Sequence, residues 1–138
     1  MELPESAIEV LESDALAHLV TVNRDGRPQV SIVWVGLEDG EIVSGHLSRY
    51  QKIRNVERDP RVAYSFEAPG QNAIGMRHYM VVHGRARVTE GGAPELLQRL
   101  AETYVGPGVP FPPMPDPPPG YVIRTTPDRV GGVGPWTA

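Results

Sequence analysis

Two Asp-Gly pairs, Asp25-Gly26 and Asp39-Gly40, cut an apolar, β-branched stretch into three runs, and no other feature constrains the fold as much. Asp-Gly supplies the positive φ angles that a tight hairpin turn demands. The runs at 15–23 (ALAHLVTVN), 28–37 (PQVSIVWVGL) and 41–47 (EIVSGHL) are therefore expected to be consecutive antiparallel strands, a meander. Strand alternation on the second run places Ser31, Val33 and Val35 on one face and Val30, Ile32 and Trp34 on the other.

The remaining chain adds three more strands and short helices. Residues 4–12 suit a helix, with Pro4 in the first turn and Ile8 and Leu11 on one side. At 48–51 the order Ser-Arg-Tyr-Gln fits a capping box, so Ser48 is the expected N-cap and Gln51 reaches back to it. That helix buries Ile53 and Val56 and ends at Asp59-Pro60. Residues 61–67 alternate as a fourth strand and 77–89 as a fifth. Gly84 inside the fifth marks a bulge or a close backbone approach. Residues 94–105 form an amphipathic helix with Leu96, Leu97, Leu100 and Tyr104 turned inward. The segment 106–120 carries eight of the fifteen prolines and reads as a stiff extended loop. A sixth strand at 121–126 stops at Pro127, and 130–138 reads as an irregular tail. The expectation is one mainly β domain over 1–138, whose six antiparallel strands close into a small barrel that removes exposed edges.

Composition excludes several chemistries. With no cysteine there are no disulfides, thiol nucleophiles or thiolate metal sites. The four histidines, His18, His46, His78 and His83, lack the spacing of a metal site. A net charge of −4 gives no general attraction to nucleic acid or anionic membrane. No apolar run approaches the roughly 18 residues of a membrane span, and the acidic start lacks a signal-peptide core, which makes the cytoplasm the expected location. Twelve of the thirteen basic residues are arginine, leaving Lys52 as the one lysine.

Lys52 falls within SRYQKIRNVERDPRV, residues 48–62. This segment resembles the K-x-R-N-[LV]-x-x-D-P-R signature of split β-barrel proteins related to pyridoxamine-phosphate oxidase. It is most similar to the deazaflavin-dependent branch that uses coenzyme F420. The strand ending in Asp-Gly-Arg-Pro, the run QVSIVWV, and the later VVHGRARV and YVIRTTPDRV occur in the matching order, so the resemblance spans roughly residues 14–132. It implies an FMN-binding split-barrel fold and a homodimer with its cofactor between protomers. Two departures stand out: the proline-rich loop, and the absence of the multi-arginine phosphate pattern of the oxidases themselves. The second argues against pyridoxamine phosphate as substrate and favours F420 over FMN.

The candidate site follows from helix-terminus physics and from this resemblance. The first amides of a helix are unpaired and carry partial positive charge, so with the Lys52 ammonium they make an anion site suited to a cofactor phosphate. The alternative for Lys52 is a solvated lysine on an exposed face. Arg54 either supports the same phosphate or pairs with Glu57 or Asp59, and Asn55 is assigned to backbone hydrogen bonding inside the fold. By resemblance, Ser31, Val33 and Trp34 face the cofactor ring; the alternatives are core packing for Val33 and a dimer-interface anchor for Trp34. His46, Leu47 and Ser48 lie along the cofactor chain, with a purely structural histidine as the alternative for His46. The expected function is hydride transfer from reduced F420 to a conjugated carbonyl or other unsaturated small molecule. The alternatives are an FMN-dependent oxidase or reductase, and a carrier of flavin, deazaflavin or heme without turnover.

Overall fold

Both Asp-Gly pairs turn the chain. Gly26 has φ of +87°, and Asp39 and Gly40 have +51° and +78°, so the second pair makes a two-residue hairpin with both φ values positive. The computed structural model describes residues 1–137. In chain order it contains α1 (Glu5–Leu11), β1 (Ala17–Val22), β2 (Pro28–Val33), β3 (Gly36–Glu38), β4 (Glu41–His46), α2 (Gln51–Arg58), β5 (Arg61–Gln71), β6 (Arg77–Glu90), α3 (Ala93–Tyr104) and β7 (Tyr121–Val133), then a 3-10 turn at Pro135–Thr137.

The strands number seven, not six, and the sheet is mainly antiparallel barrel wall without full closure. Its order is β2-β1-β5-β6-β7-β4-β3, which leaves β2 and β3 at opposite edges. The expected single strand at 28–37 breaks at Trp34-Val35 because its halves serve opposite edges, β2 on β1 and β3 on β4. The Tyr104 hydroxyl holds that crossing. It accepts the Val35 N–H (3.1 Å) and directs its own proton at Ala15 O (3.1 Å), with Val35 O at 3.3 Å.

Pro127 does not end the last strand, and residues 130–133 are ladder, not irregular tail. Gly84 faces Pro127 while His83 faces Arg129, so Asp128 is an extra residue at a bulge. A bulge is where a missing N–H costs no ladder bond, which is why proline fits there. Gly84 meets the close backbone approach expected of it: a Cβ at this position would lie 2.5 Å from Thr126 O. Trp136 is 7 % exposed, packs edge-on against His78 and pins the chain end to the core.

The core is filled from inward strand positions, among them Leu19, Tyr64, Phe66, Met80, Val82, Ile42 and Ile123, with Leu11 of α1 and Ile53 of α2 closing it. A smaller cluster of Val43, Val122, Leu96 and Leu100 seats α3 on β4 and β7. The outward face differs from an ordinary solvated one. Cross-strand register aligns Ile32, His18, Ser65, Val81 and Gly131 in one row, and Val30, Val20, Ala63, His83 and Arg129 in the next. Val30 and Ile32 remain 59 % and 58 % exposed.

The signature segment is chiefly a structural knot. Asn55 is fully buried; its amide donates to Thr21 Oγ1 (3.0 Å) and Asn23 Oδ1 (2.8 Å), while its oxygen accepts from Gln51 Nε2 (2.8 Å). Arg58 donates to Val22 O. Asp59 accepts from the Arg61 backbone N–H (3.1 Å) and guanidinium (2.7 Å), which holds its carboxyl down at about 2. Asn55→Ala would remove the fully buried amide that ties α2 to Thr21 and Asn23 of β1 and the turn after it. It is expected to cost about 2–3 kcal/mol, read as a lower urea midpoint at unchanged slope; a loss below about 0.5 kcal/mol would contradict this role.

Candidate functional site

A groove of about 280 Å³ opens where the edge strand β2 meets the end of β4 and the start of α2. β2 and the crossing after it contribute Ile32, Val33 and Trp34. The end of β4 contributes Gly45, His46 and Leu47, and the approach to α2 contributes Tyr50 and Lys52. Leu97 of α3 and Phe111 of the proline-rich segment complete the wall. As β2 is an edge, one row of its backbone N–H and C=O groups has no strand partner and is free to pair with a ligand.

The helix start differs from the expected capping box. The N-cap is Tyr50, in extended conformation, and no side chain caps the first turn. Ser48 is exposed and offers only its carbonyl, which accepts the Tyr50 N–H (2.9 Å). Gln51 turns forward to Asn55 because a buried amide oxygen needs a donor more than a solvated serine does. The Ile53 and Arg54 amides return to Tyr50 O, which leaves the Gln51 and Lys52 amides unpaired among the described residues. The bare-amide end therefore exists, two residues later than the capping box implies.

Lys52 stands at this end, half-buried. Its ammonium lies 5.4 Å from the Tyr50 ring centre and forms no salt bridge among the described residues. Burial lowers its pKa. A partly desolvated cation without a carboxylate is costly, and an anion entering the groove would offset that cost. His46 is 5 % exposed, and its Nε2 pairs with Ser44 Oγ at 2.8 Å. Burial first, and the Lys52 charge second, push its pKa down to about 3, so the imidazole is neutral near pH 7.

The structure thus gathers five of the eight expected site residues, Val33, Trp34, His46, Leu47 and Lys52, on one groove. Three are elsewhere. Ser48 borders a separate hollow with Glu90 and Gly120. Arg54 turns back onto Arg49 O (2.7 Å) and Gln51 Oε1 (2.8 Å), away from the groove wall and from Glu57 and Asp59 alike. Ser31 is not part of the groove lining, and its buried Oγ has no hydrogen-bond partner among the described residues. Tyr50, Leu97 and Phe111 were not foreseen as lining. For Phe111 the available signal was a lone aromatic within a prolyl run.

The donors fit a phosphorus-bearing flavin-type cofactor: an unpaired ammonium, two bare amides and a free strand edge converge on one hollow. Lys52 and the Gln51 and Lys52 amides would hold the phosphate, and the β2 edge would meet the polar rim of the ring.

The neutral state of His46 has a measurable consequence. Below pH 6.5 the unfolded chain takes up a proton here that the folded chain refuses until about pH 3, so the fold loses stability as pH falls through that window. The slope reaches at most about 1.4 kcal/mol per pH unit. His46→Gln removes this component, so the variant should gain on the parent between about pH 6 and 4 in urea unfolding. A pH-independent gap between the two would show that His46 titrates normally.

Comparison with known proteins agrees with this architecture. The model of the pyridoxamine 5'-phosphate oxidase family matches residues 3–134. No curated protein sequence matches the chain. Among solved structures, an F420 reductase is 27% identical, with a TM-score of 0.76 over 94% of this chain and 98% of its own. A conserved hypothetical protein from Mycobacterium tuberculosis is 26% identical, with a TM-score of 0.73 over 99% of this chain and 95% of its own. HupZ from Group A Streptococcus, 18% identical with a TM-score of 0.66, shares the fold over 97% of both chains. Since the family match takes in nearly the whole length, from α1 through the end of β7, this chain belongs to the pyridoxamine 5'-phosphate oxidase family of the split-barrel flavin and deazaflavin superfamily.

Proposed function

We propose that this protein is an oxidoreductase that uses reduced coenzyme F420 to deliver hydride to a conjugated carbonyl or similar unsaturated small molecule. It works as a single cytoplasmic domain paired with a second copy, with the cofactor between them. One observation carries the reading: among the described residues a half-buried ammonium without a carboxylate partner lines the groove, on the first turn of a helix whose Gln51 and Lys52 amides are bare. The similarity to an F420 reductase supports F420 as the group held there.

The cofactor, when bound, supplies the hydride chemistry itself. The chain's residues bind, orient and exclude water. Lys52 and the α2 amides would hold the phosphate end, and the β2 edge would meet the ring. His46, neutral at working pH, adds no second positive charge and keeps a polar contact to Ser44 beside the groove. Among the described residues no helix is long and apolar enough to cross a membrane.

The outward rows around Val30 and Ile32 support the pairing with a second copy. On this face the apolar side chains of Val30, Ile32, Val20, Ala63 and Val81 lie among His18, Ser65 and His83, and two of them, Val30 and Ile32, are more than half exposed, a surface suited to an isologous interface. Ile32 also lines the groove, so a partner seated on this face borders the site.

Titration of purified protein with F420 and with FMN tests the proposal. F420 should bind and its reduced form be oxidised by an unsaturated carbonyl. Tighter FMN binding would shift the reading to an FMN enzyme, and binding without turnover across a broad acceptor panel to a carrier. Lys52→Ala should weaken cofactor binding by about 1.5–3 kcal/mol, roughly 10- to 150-fold, through loss of a charge-assisted contact. Arg54→Ala, altering a residue turned from the groove, should stay within about twofold.

A further inference from the structure

The proline-rich segment between α3 and β7 is latched, not free. Gln98 of α3 grips it in both directions: its amide N–H donates to Val109 O (2.9 Å) and its carbonyl accepts the Phe111 N–H (2.9 Å). One helical turn further, the Glu102 carboxylate accepts the Gly108 N–H (3.2 Å). These bonds immediately precede and include Phe111, the residue through which the segment reaches the groove. The Phe111 ring lies 4.9 Å from Trp34 at 51°, and Trp34 stacks on Tyr104 at 5.3 Å and 7°.

Phe111, Trp34 and Leu97 therefore make a stretch of groove wall that is aromatic and aliphatic, while the titratable side chains, Lys52, Tyr50 and His46, come from α2, its approach and the end of β4. A flat uncharged ring placed on that wall would gain edge and face contacts at once. A charged group there would lose water without a partner. We infer that Phe111 is a specificity-determining residue and Gln98 its positioning residue, together seating a flat, uncharged, aromatic or conjugated part of the hydride acceptor against Trp34. The identification of that ligand as the acceptor rests on the function proposed above; the seat itself does not.

The test uses 2-naphthamide, a flat uncharged probe, titrated calorimetrically into the protein without cofactor, followed by F420 and FMN titrations of the same variants. Phe111→Ala should weaken 2-naphthamide about tenfold and F420 or FMN by no more than about threefold, since the cofactor is also held at Lys52 and the α2 amides. Gln98→Leu should weaken the probe about fivefold, and combining both changes should do no more than Phe111→Ala alone, since the latch acts through the ring. Phe111→Leu, which keeps apolar contact but removes the ring, covers the case in which alanine unfolds the segment. No probe binding to the parent protein, an unchanged probe affinity in the Phe111 variants, or an equal loss of cofactor affinity would overturn the seat. Additive losses would overturn the role of Gln98. Probe binding without any cofactor binding would leave the seat standing and remove the oxidoreductase reading.

Discussion

The crossing at Trp34-Val35 is where the fold and the groove are decided together. A chain passing from one edge of a sheet to the other must leave its peptide groups unpaired, and buried orphans of that kind are expensive. One hydroxyl, from the last residue of α3, takes the Val35 N–H and shares its proton between two carbonyls. Because that hydroxyl belongs to α3, the helix is tied to the split, and Tyr104 brings its ring flat against Trp34. The seam that keeps the barrel from closing is thereby a wall with defined chemistry.

Electrostatics inside the groove follow from two groups competing for little water. Lys52 keeps its charge in a half-buried place, and His46, deeper and near that charge, gives up its own. The outcome is a single positive centre with a neutral imidazole behind it, not a doubly charged pocket. Such an arrangement suits one anionic group at one end and a polar but uncharged ring system beyond it.

Much of this was legible in the residues. The two Asp-Gly turns announced two hairpins because φ above zero is a local demand that only a few residue types meet; that these hairpins lie at opposite edges, not in one meander, was not legible. Lys52, Val33, Trp34, His46 and Leu47 could be placed on one site because helix-terminus physics and the family signature point to the same junction. What escaped is nonlocal. Nothing near Ser48 reveals that Gln51 will be drawn to the oxygen of Asn55, whose amide nitrogen is anchored on Thr21, 34 residues away. Proline at 127 usually stops a strand; it is tolerated because Gly84, far off in sequence, makes the opposing bulge. The prolyl segment looked like a spacer because its latch sits on another element, in the side chain of Gln98.

Ile32 belongs to two surfaces at once, the outward face of the sheet and the groove wall. Anything that covers that face must therefore alter the solvent boundary of the groove. By reciprocity, whatever occupies the groove must change the affinity of that cover by the same factor. In the proposed dimer, association and ligand capture would be one coupled equilibrium, and the protein's own concentration would set how strongly it holds small molecules.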